Sequence, residues 1–157
     1  MVTVGVILYQ TFMRRYETRT MAIIVIVLMA LNGFSSLALT LRWNVAIGIS
    51  DMVFCVFTGV TFFPLIMGLY IIPPFVLIAK ITPAHVEATI FSFAASLINA
   101  GIHFSGKYMG LAWNKWFFGV STDSLDNLWK LCLLETCCAC LCLVYVPLLP
   151  SWEEVRE

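Results

Sequence analysis

Four long apolar stretches, separated by charged or turn residues, fill most of this 157-residue chain. A helix rises about 1.5 Å per residue, so a stretch of about 20 residues crosses a hydrocarbon layer of roughly 30 Å. The pattern predicts an all-α membrane protein with four full transmembrane helices. The predicted spans are residues 21–41, 52–79, 86–113 and 128–149, and the most apolar part of the third ends near residue 106.

The composition agrees with a membrane protein. Hydrophobic residues make up 61% of the chain and charged residues 11%, which leaves too little polar surface to coat a soluble globule. The formal net charge is zero, and no basic block interleaved with aromatic residues is present, so nucleic acid is not expected as a partner. We expect a multi-pass protein surrounded by membrane lipid, in the plasma membrane or an organellar membrane.

The first 13 residues are apolar but reach only about 20 Å as a helix. Their charge, Arg14-Arg15, follows the apolar stretch, whereas a secretory signal carries its charge before it. We interpret the segment as a short N-terminal helix, the tail of a helix whose beginning is missing. Backbone polar groups in lipid must be paired internally, so we expect no sheet and a single transmembrane helical domain over residues 1–157.

Five of the six cysteines lie within residues 132–142, inside the last apolar stretch. Side chains this close along one helix point apart, which disfavours disulfides, and no histidine follows at the spacing of a zinc site. We therefore expect small packing residues, with no metal site and no cofactor. The sequence also lacks a nucleophile elbow and a phosphate-binding loop, so we do not expect an enzyme.

Polar and helix-breaking residues interrupt the first two spans. Asn32, Ser36 and Thr40 recur every four residues and share one helix face. Such a face packs against other helices or lines a wet cavity. In the next span, the prolines predict a kink near Pro64 and an ending or distortion near Pro73, because each removes a backbone donor.

The third span carries the best candidate for a lining surface. Ser92, Ser96, Asn99, His103 and Gly106 fall at helical spacing on one face. We expect these polar side chains to face protein or a water-filled cavity, because contact with lipid would be unfavourable. For His103 two interpretations stand side by side, a histidine satisfied by a neighbouring helix and a ligand for a proton or a substrate.

Two carboxylates complete the candidates. Glu87 lies in the first turn of the third span, where the helix dipole favours negative charge. Glu135 lies about 10 Å past the start of the last span; it is a proton carrier or substrate contact, or it reaches the interface or pairs with a lysine of another segment. The candidates for a substrate or proton pathway are therefore Glu87, Ser92, Ser96, Asn99, His103 and Glu135.

The distribution of basic residues predicts the orientation. If every segment crosses, Arg14, Arg15 and Arg19 lie on the same side as the carboxyl tail. With Lys80 and Arg156, that side has five basic residues, and the opposite side has four, which are Arg42, Lys107, Lys115 and Lys130. This slight bias is strengthened by the tight cluster of Arg14, Arg15 and Arg19. The positive-inside rule places the cluster and the tail in the cytosol or its topological equivalent.

Residues 83–101 read PAHVEATIFSFAASLINAG, and this segment resembles the signature of the folate-biopterin transporter family, a branch of the major facilitator superfamily. The family has a glycine where this chain has His85. Weaker similarity comes from residues 48–51, 119–121 and 127–128. The matching positions in the signature are Pro83, Val86, Glu87, Ala88, Thr89, Ser96, Asn99 and Gly101.

The resemblance extends over nearly the full chain, but it corresponds only to the last part of the family's twelve helices. This part is the end of helix eight and helices nine to twelve. The resemblance implies two six-helix halves that rock around a central site, with pteridines or folates as cargo and proton symport in many members. We therefore expect the chain to act as the carboxyl-terminal portion of such a transporter, with the missing half as partner and no transport by the chain alone. The alternative is a transporter-derived, non-catalytic structural subunit that packs against other membrane subunits.

Overall fold

The computed structural model describes residues 2–13, 16–83 and 85–149, most of which are helical. A short helix, α1, comprises Val2–Leu8 and continues as a wider π-helical turn over Tyr9–Met13. A one-turn helix, α3 (Trp43–Ala46), follows the first long helix. The four long helices are α2 (Thr18–Thr40), α4 (Asp51–Ile81), α5 (Glu87–Phe118) and α6 (Leu128–Leu148).

The four long helices have the length and composition needed to cross a membrane. No strand occurs in the described ranges. The predicted fold, four full transmembrane helices and a short N-terminal helix, is thus confirmed, and the chain is an integral membrane protein.

The turn between α4 and α5 separates two long helices that lie only a few residues apart in the sequence. Helix α4 ends at Ile81, and Thr82 is extended, with a ψ of 126°. Pro83 causes this ending, because a proline disfavours helical geometry in the residue before it. The Thr82 hydroxyl donates to the carbonyl of Ile78 at 2.6 Å, which satisfies one of the last carbonyls of α4.

The hydrophobic core lies where α1, α2 and α4 meet. Its buried residues are Tyr9 of α1, Met21 and Val25 of α2, and Ile66 and Leu69 of α4. Van der Waals contact holds such a core, since lipid is as apolar as the side chains themselves. The short helix α1 is therefore part of the bundle.

Close approach between α1 and α4 depends on a glycine. A side chain at Gly5 would collide with the carbonyl oxygen of Leu65 and lie 3.1 Å from the Cα of Gly68. Small residues at such positions let two helix backbones come together in a membrane.

Helices α2 and α6 form the second tight pair, and the polar stripe of α2 lies in it. Asn32 is buried, and the hydroxyl of Thr40 lies 3.5 Å from the sulfur of Cys132. A Cβ atom at Gly33 would lie 2.6 Å from the Thr136 hydroxyl oxygen. Of the two interpretations of the stripe of Asn32, Ser36 and Thr40, packing between helices is the one observed.

The prolines of α4 act differently from what the sequence predicts. A π-helical turn over Val56–Phe62 precedes Pro64, and the kink predicted near Pro64 stays a prediction. Of the ending or distortion predicted near Pro73, the ending does not occur, because the helix continues through Pro73 and Pro74 to Ile81. Proline has a helical φ, and core packing on both sides of the pair, through Leu69 and Val76, holds the helix despite the missing donors.

The ends of the bundle agree with alternate crossing. The Arg19 side chain, at the start of α2, donates through Nε to the carbonyl of Leu149, just after α6, at 2.7 Å. The start of α2 and the end of α6 therefore lie at the same end of the bundle. Arg14, Arg15 and Arg156, which enter the predicted orientation, lie outside the described residues, and that orientation stays a prediction.

The cysteines are free thiols. Cys132 is half-buried against α2, whereas Cys137, Cys138, Cys140 and Cys142 are exposed within this chain. Packing inside the chain is thus observed for Cys132. The described residues contain no group of three or more side chains that could hold a metal ion.

Candidate functional site

Helix α5 is the least covered of the long helices. No residue between Glu87 and Phe118 is buried within the chain. Near its start, the ring of Phe91 stacks on Phe75 of α4, with centroids 6.0 Å apart and planes within 4° of parallel. At its other end, the last turn packs against α6. Most of the α5 surface is therefore available to something outside this chain.

The predicted polar face lies on the free side of α5. Ser92, Ser96, Asn99 and His103 are all exposed, whereas Phe91, which faces α4, is partly covered. Contact with protein or a water-filled cavity, as expected for this face, would have to come from outside the chain, and it stays a prediction.

Hydrogen bonding divides this face into two kinds of residue. The Ser92 hydroxyl donates to the carbonyl of Ala88 and the Ser96 hydroxyl to that of Ser92, each at 2.8 Å. These serines are satisfied by their own helix and tolerate an apolar neighbour. Asn99 and His103 make no side-chain hydrogen bond within the described part of the chain. They are the two side chains of the face that need an external partner.

The two candidate carboxylates lie apart from this face. Glu87 is exposed in the first turn of α5, at the amino-terminal end of the helix. Glu135 is exposed on α6, beside Thr136, which faces α2. Among the described residues, Glu135 pairs with no lysine. The structure therefore brings Asn99 and His103 together by helix geometry, and it does not bring Glu135 to them.

A hollow of about 410 Å³ lies on α6, away from the polar face of α5. It is an open, mostly apolar depression, and none of the six candidate residues lines it. Ligand sites combine an apolar wall with convergent polar groups, which this depression lacks. Its lining residues are Thr136, Cys137, Cys140, Leu141 and Val144.

Comparison with known families decides the ancestry of the chain. The sequence profile of the BT1 family matches residues 1–157, which is the whole chain. The chain belongs to the BT1 family. The resemblance predicted from residues 83–101 is thereby confirmed.

Curated BT1 relatives carry transporter names. The chain is 27% identical to the probable folate-biopterin transporter 6 of Arabidopsis thaliana, over 98% of the chain and 30% of that protein. It is 30% identical to the folate-biopterin transporter of Synechocystis, over 98% of the chain and 31% of that protein. It is 28% identical to the putative folate transporter 2 of Plasmodium berghei, over 98% and 33%.

This BT1 chain thus spans about a third of the length of the curated relatives it matches. No solved structure matches it.

His85, in the turn before α5, adopts a strained backbone. Its φ is +79°, in the left-handed region that glycine enters freely and other residues enter at a cost. This BT1 chain therefore forms the turn with a histidine in a conformation that favours glycine.

Two asparagines that were not among the predicted candidates hold the carboxyl-terminal end of α5 in place. The Asn114 side chain donates to the carbonyl of Val120 and accepts from its amide, both at 2.8 Å. The Asn127 side chain donates to the carbonyl of Phe118 at 2.8 Å. These bonds close the loop after α5 onto itself. Single asparagines near helix ends were the available signal, and they are too common in loops to be specific.

A third asparagine organises the loop between α2 and α4. Asn44 is almost completely buried, and its amide nitrogen donates to the carbonyl of Ile49 at 3.1 Å and to the carboxylate of Asp51 at 2.6 Å. Asp51 also forms an ion pair with Arg42 at 3.0 Å. Water screens the attraction between these exposed charges, so the ion pair contributes little stability. The buried amide is what shapes the loop.

Proposed function

We propose that this chain is part of a membrane transporter for a folate-like or pteridine-like solute, and that α5 supplies one wall of the solute pathway. The observation that carries the proposal is the pair Asn99 and His103, exposed in a membrane-spanning helix and without a partner in the described chain. Polar side chains at membrane depth usually face a pathway or a bundle interior. The names of the BT1 relatives supply the class of solute.

The chemistry of the two side chains suits such a solute. The carboxamide of Asn99 offers a donor and an acceptor side by side, which is complementary to the cyclic amide of a pteridine. His103, one helical turn further, can donate or accept a hydrogen bond through its ring nitrogens. Ser92 and Ser96 add acceptor capacity, because their protons are already used within the helix.

We propose no enzymatic role. The curated relatives bear transporter names, and the polar residues of α5 do not combine a nucleophile with a base. The proposed role of the six candidates is contact with a solute or a proton, with Asn99 and His103 central and Glu87 and Glu135 at positions remote from them.

The test is reconstitution of a complete transporter. The chain is expressed together with the part of the Synechocystis relative that lies outside the matched region, in cells that lack folate uptake. We expect uptake of labelled folate or pterin above that of either part alone. Asn99→Ala and His103→Ala should each reduce uptake by about tenfold or more, the scale of one lost buried hydrogen bond. Ser96→Ala removes only an acceptor, because the Ser96 proton is already bound within the helix, and it should reduce uptake less than either of these variants.

The alternative function is that of a structural subunit derived from a transporter. It is supported by the uncovered surface of α5, where no residue from Glu87 to Phe118 is buried within the described chain, because another subunit could pack there. In the same experiment, a stable complex of the two parts with no uptake would favour this alternative. Uptake by the chain alone that is lost in His103→Ala would contradict both proposals.

A further inference from the structure

Helix α5 is held at its two ends and uncovered in between. Its amino-terminal end packs on α4 through the stacked rings of Phe91 and Phe75. Its carboxyl-terminal end is held by the loop in which Asn114 and Asn127 bond to the backbone at 2.8 Å. A helix held in this way can change only through the segment between the two attachments.

That segment has the wider π-helical geometry. It comprises His103–Met109, and each of its seven residues is exposed within the chain. A Cβ atom at Gly106 would meet nothing within 4 Å. A π-helical turn packs its backbone less well than an α-helix and occurs mostly where function requires it.

The π-helical turn of α4 shows what a fixed one looks like. It covers Val56–Phe62, and Phe62 packs against the hydrophobic core. The hydroxyl of Thr61 donates to the carbonyl of Val56 at 3.2 Å, which reinforces the wider turn. Pro64 follows and cannot donate to a carbonyl in the turn before it. Covalent structure and packing therefore both hold the α4 turn in place.

None of these constraints acts on the α5 segment. Residues 87–118 contain no proline, and residues 103–109 bear no side-chain hydrogen bond within the described chain. The glycine in the middle leaves the backbone free in both geometries. The α-helical arrangement is therefore accessible to the same residues.

We infer that His103–Met109 is a bending segment of α5 that interconverts between π-helical and α-helical geometry. Conversion of this segment between the two geometries changes the twist and the rise of α5 over the same residues. The part of the helix that carries Asn99 therefore turns relative to the part that leads into the Asn114 loop. The inference concerns the helix itself and holds whichever solute is carried.

The nine glycines of the chain allow a direct test. The full chain is labelled with 15N-glycine in detergent micelles, and relaxation dispersion measures exchange on the microsecond to millisecond timescale. We expect the exchange contribution at Gly106 and Gly110 to exceed that at Gly33 by about threefold or more. Gly33 lies in the tight α2–α6 pair and reports motion of the whole bundle. Each resonance is assigned by its disappearance in the corresponding alanine variant.

Two variants sharpen the result. Gly106→Ala favours regular α-helix and should reduce the exchange at Gly110 by about half or more. Gly59→Ala, in the fixed turn of α4, is the matched control and should leave Gly110 unchanged. Flat dispersion at both Gly106 and Gly110 would overturn the inference. Dispersion of equal size at Gly33 would also overturn it, because the motion would then belong to the whole protein.

Discussion

At the scale of single residues, the same polar face of α5 contains side chains with opposite requirements. The Ser96 hydroxyl donates a hydrogen bond to the carbonyl of Ser92 in its own helix. Asn99 has two donors and an acceptor and cannot satisfy them on its own backbone. Asn32 shows how this chain accommodates another asparagine of a membrane-spanning helix, because its side chain is buried within the described chain. Asn99 has no such cover from the described chain, and this difference identifies it as a functional candidate.

The strained turn before α5 gives the first prediction. His85→Gly should stabilise the protein by about 1 kcal/mol, because glycine enters the left-handed region without the steric cost that a side chain imposes. The measurement is thermal unfolding in detergent. His85→Ala is the control, and it should show no such gain because it keeps the Cβ atom. Equal stability of the two variants would contradict the assignment of strain to this turn.

The loop clamp, formed by the two hydrogen bonds between Asn114 and Val120, gives a second prediction. Asn114→Ala removes both hydrogen bonds to Val120 and should lower stability by about 1–3 kcal/mol, the usual cost of leaving backbone groups unpaired. Asn114→Asp keeps the acceptor for the Val120 amide and should lose less. Chemical unfolding followed by tryptophan fluorescence measures both variants. An alanine variant as stable as the original chain would show that the clamp is dispensable.

At the scale of helices, α2 and α6 approach closely at Gly33. Gly33→Ala should destabilise the protein by about 1–3 kcal/mol, since the new methyl group would overlap the side chain of Thr136. Gly59→Ala adds the same methyl group where nothing lies within 4 Å and should be nearly neutral. Unfolding in a denaturing detergent titration compares the two. If the two alanine variants lose stability equally, the contact between α2 and α6 is looser than described here.

Hydropathy predicted the helices well because the thickness of a bilayer sets their length directly. The turn at Pro83 depends on a local effect of proline on the extended residue before it, which the sequence also shows. The ending predicted near Pro73 does not occur, because a missing donor is visible in the sequence and the core packing that compensates for it is not. Helical spacing predicted which residues of α5 share a face. What covers that face depends on atoms outside the chain, so periodicity carries no information about it.

At the scale of the whole molecule, alternate crossing makes a prediction about topology. Ile47 and Asp123 lie in loops at one end of the bundle, and Glu17 precedes α2 at the other end. In intact cells, Ile47→Cys and Asp123→Cys should react with a membrane-impermeant maleimide, and Glu17→Cys should react only after permeabilisation. The unsubstituted chain, with its own six cysteines, is the control. Labelling of Glu17→Cys in intact cells would reverse the predicted orientation.

The pairing of α2 with α6 has a consequence for biogenesis. Gly33 and its contact Thr136 are 103 positions apart (136 minus 33), so α2 leaves the ribosome well before the helix that covers it. At about 5–20 residues per second, this interval lasts about 5–20 s. During that time Gly33 lies in a nascent helix without its final contact. Helix α2 therefore reaches its final packing only after α6 has been synthesised.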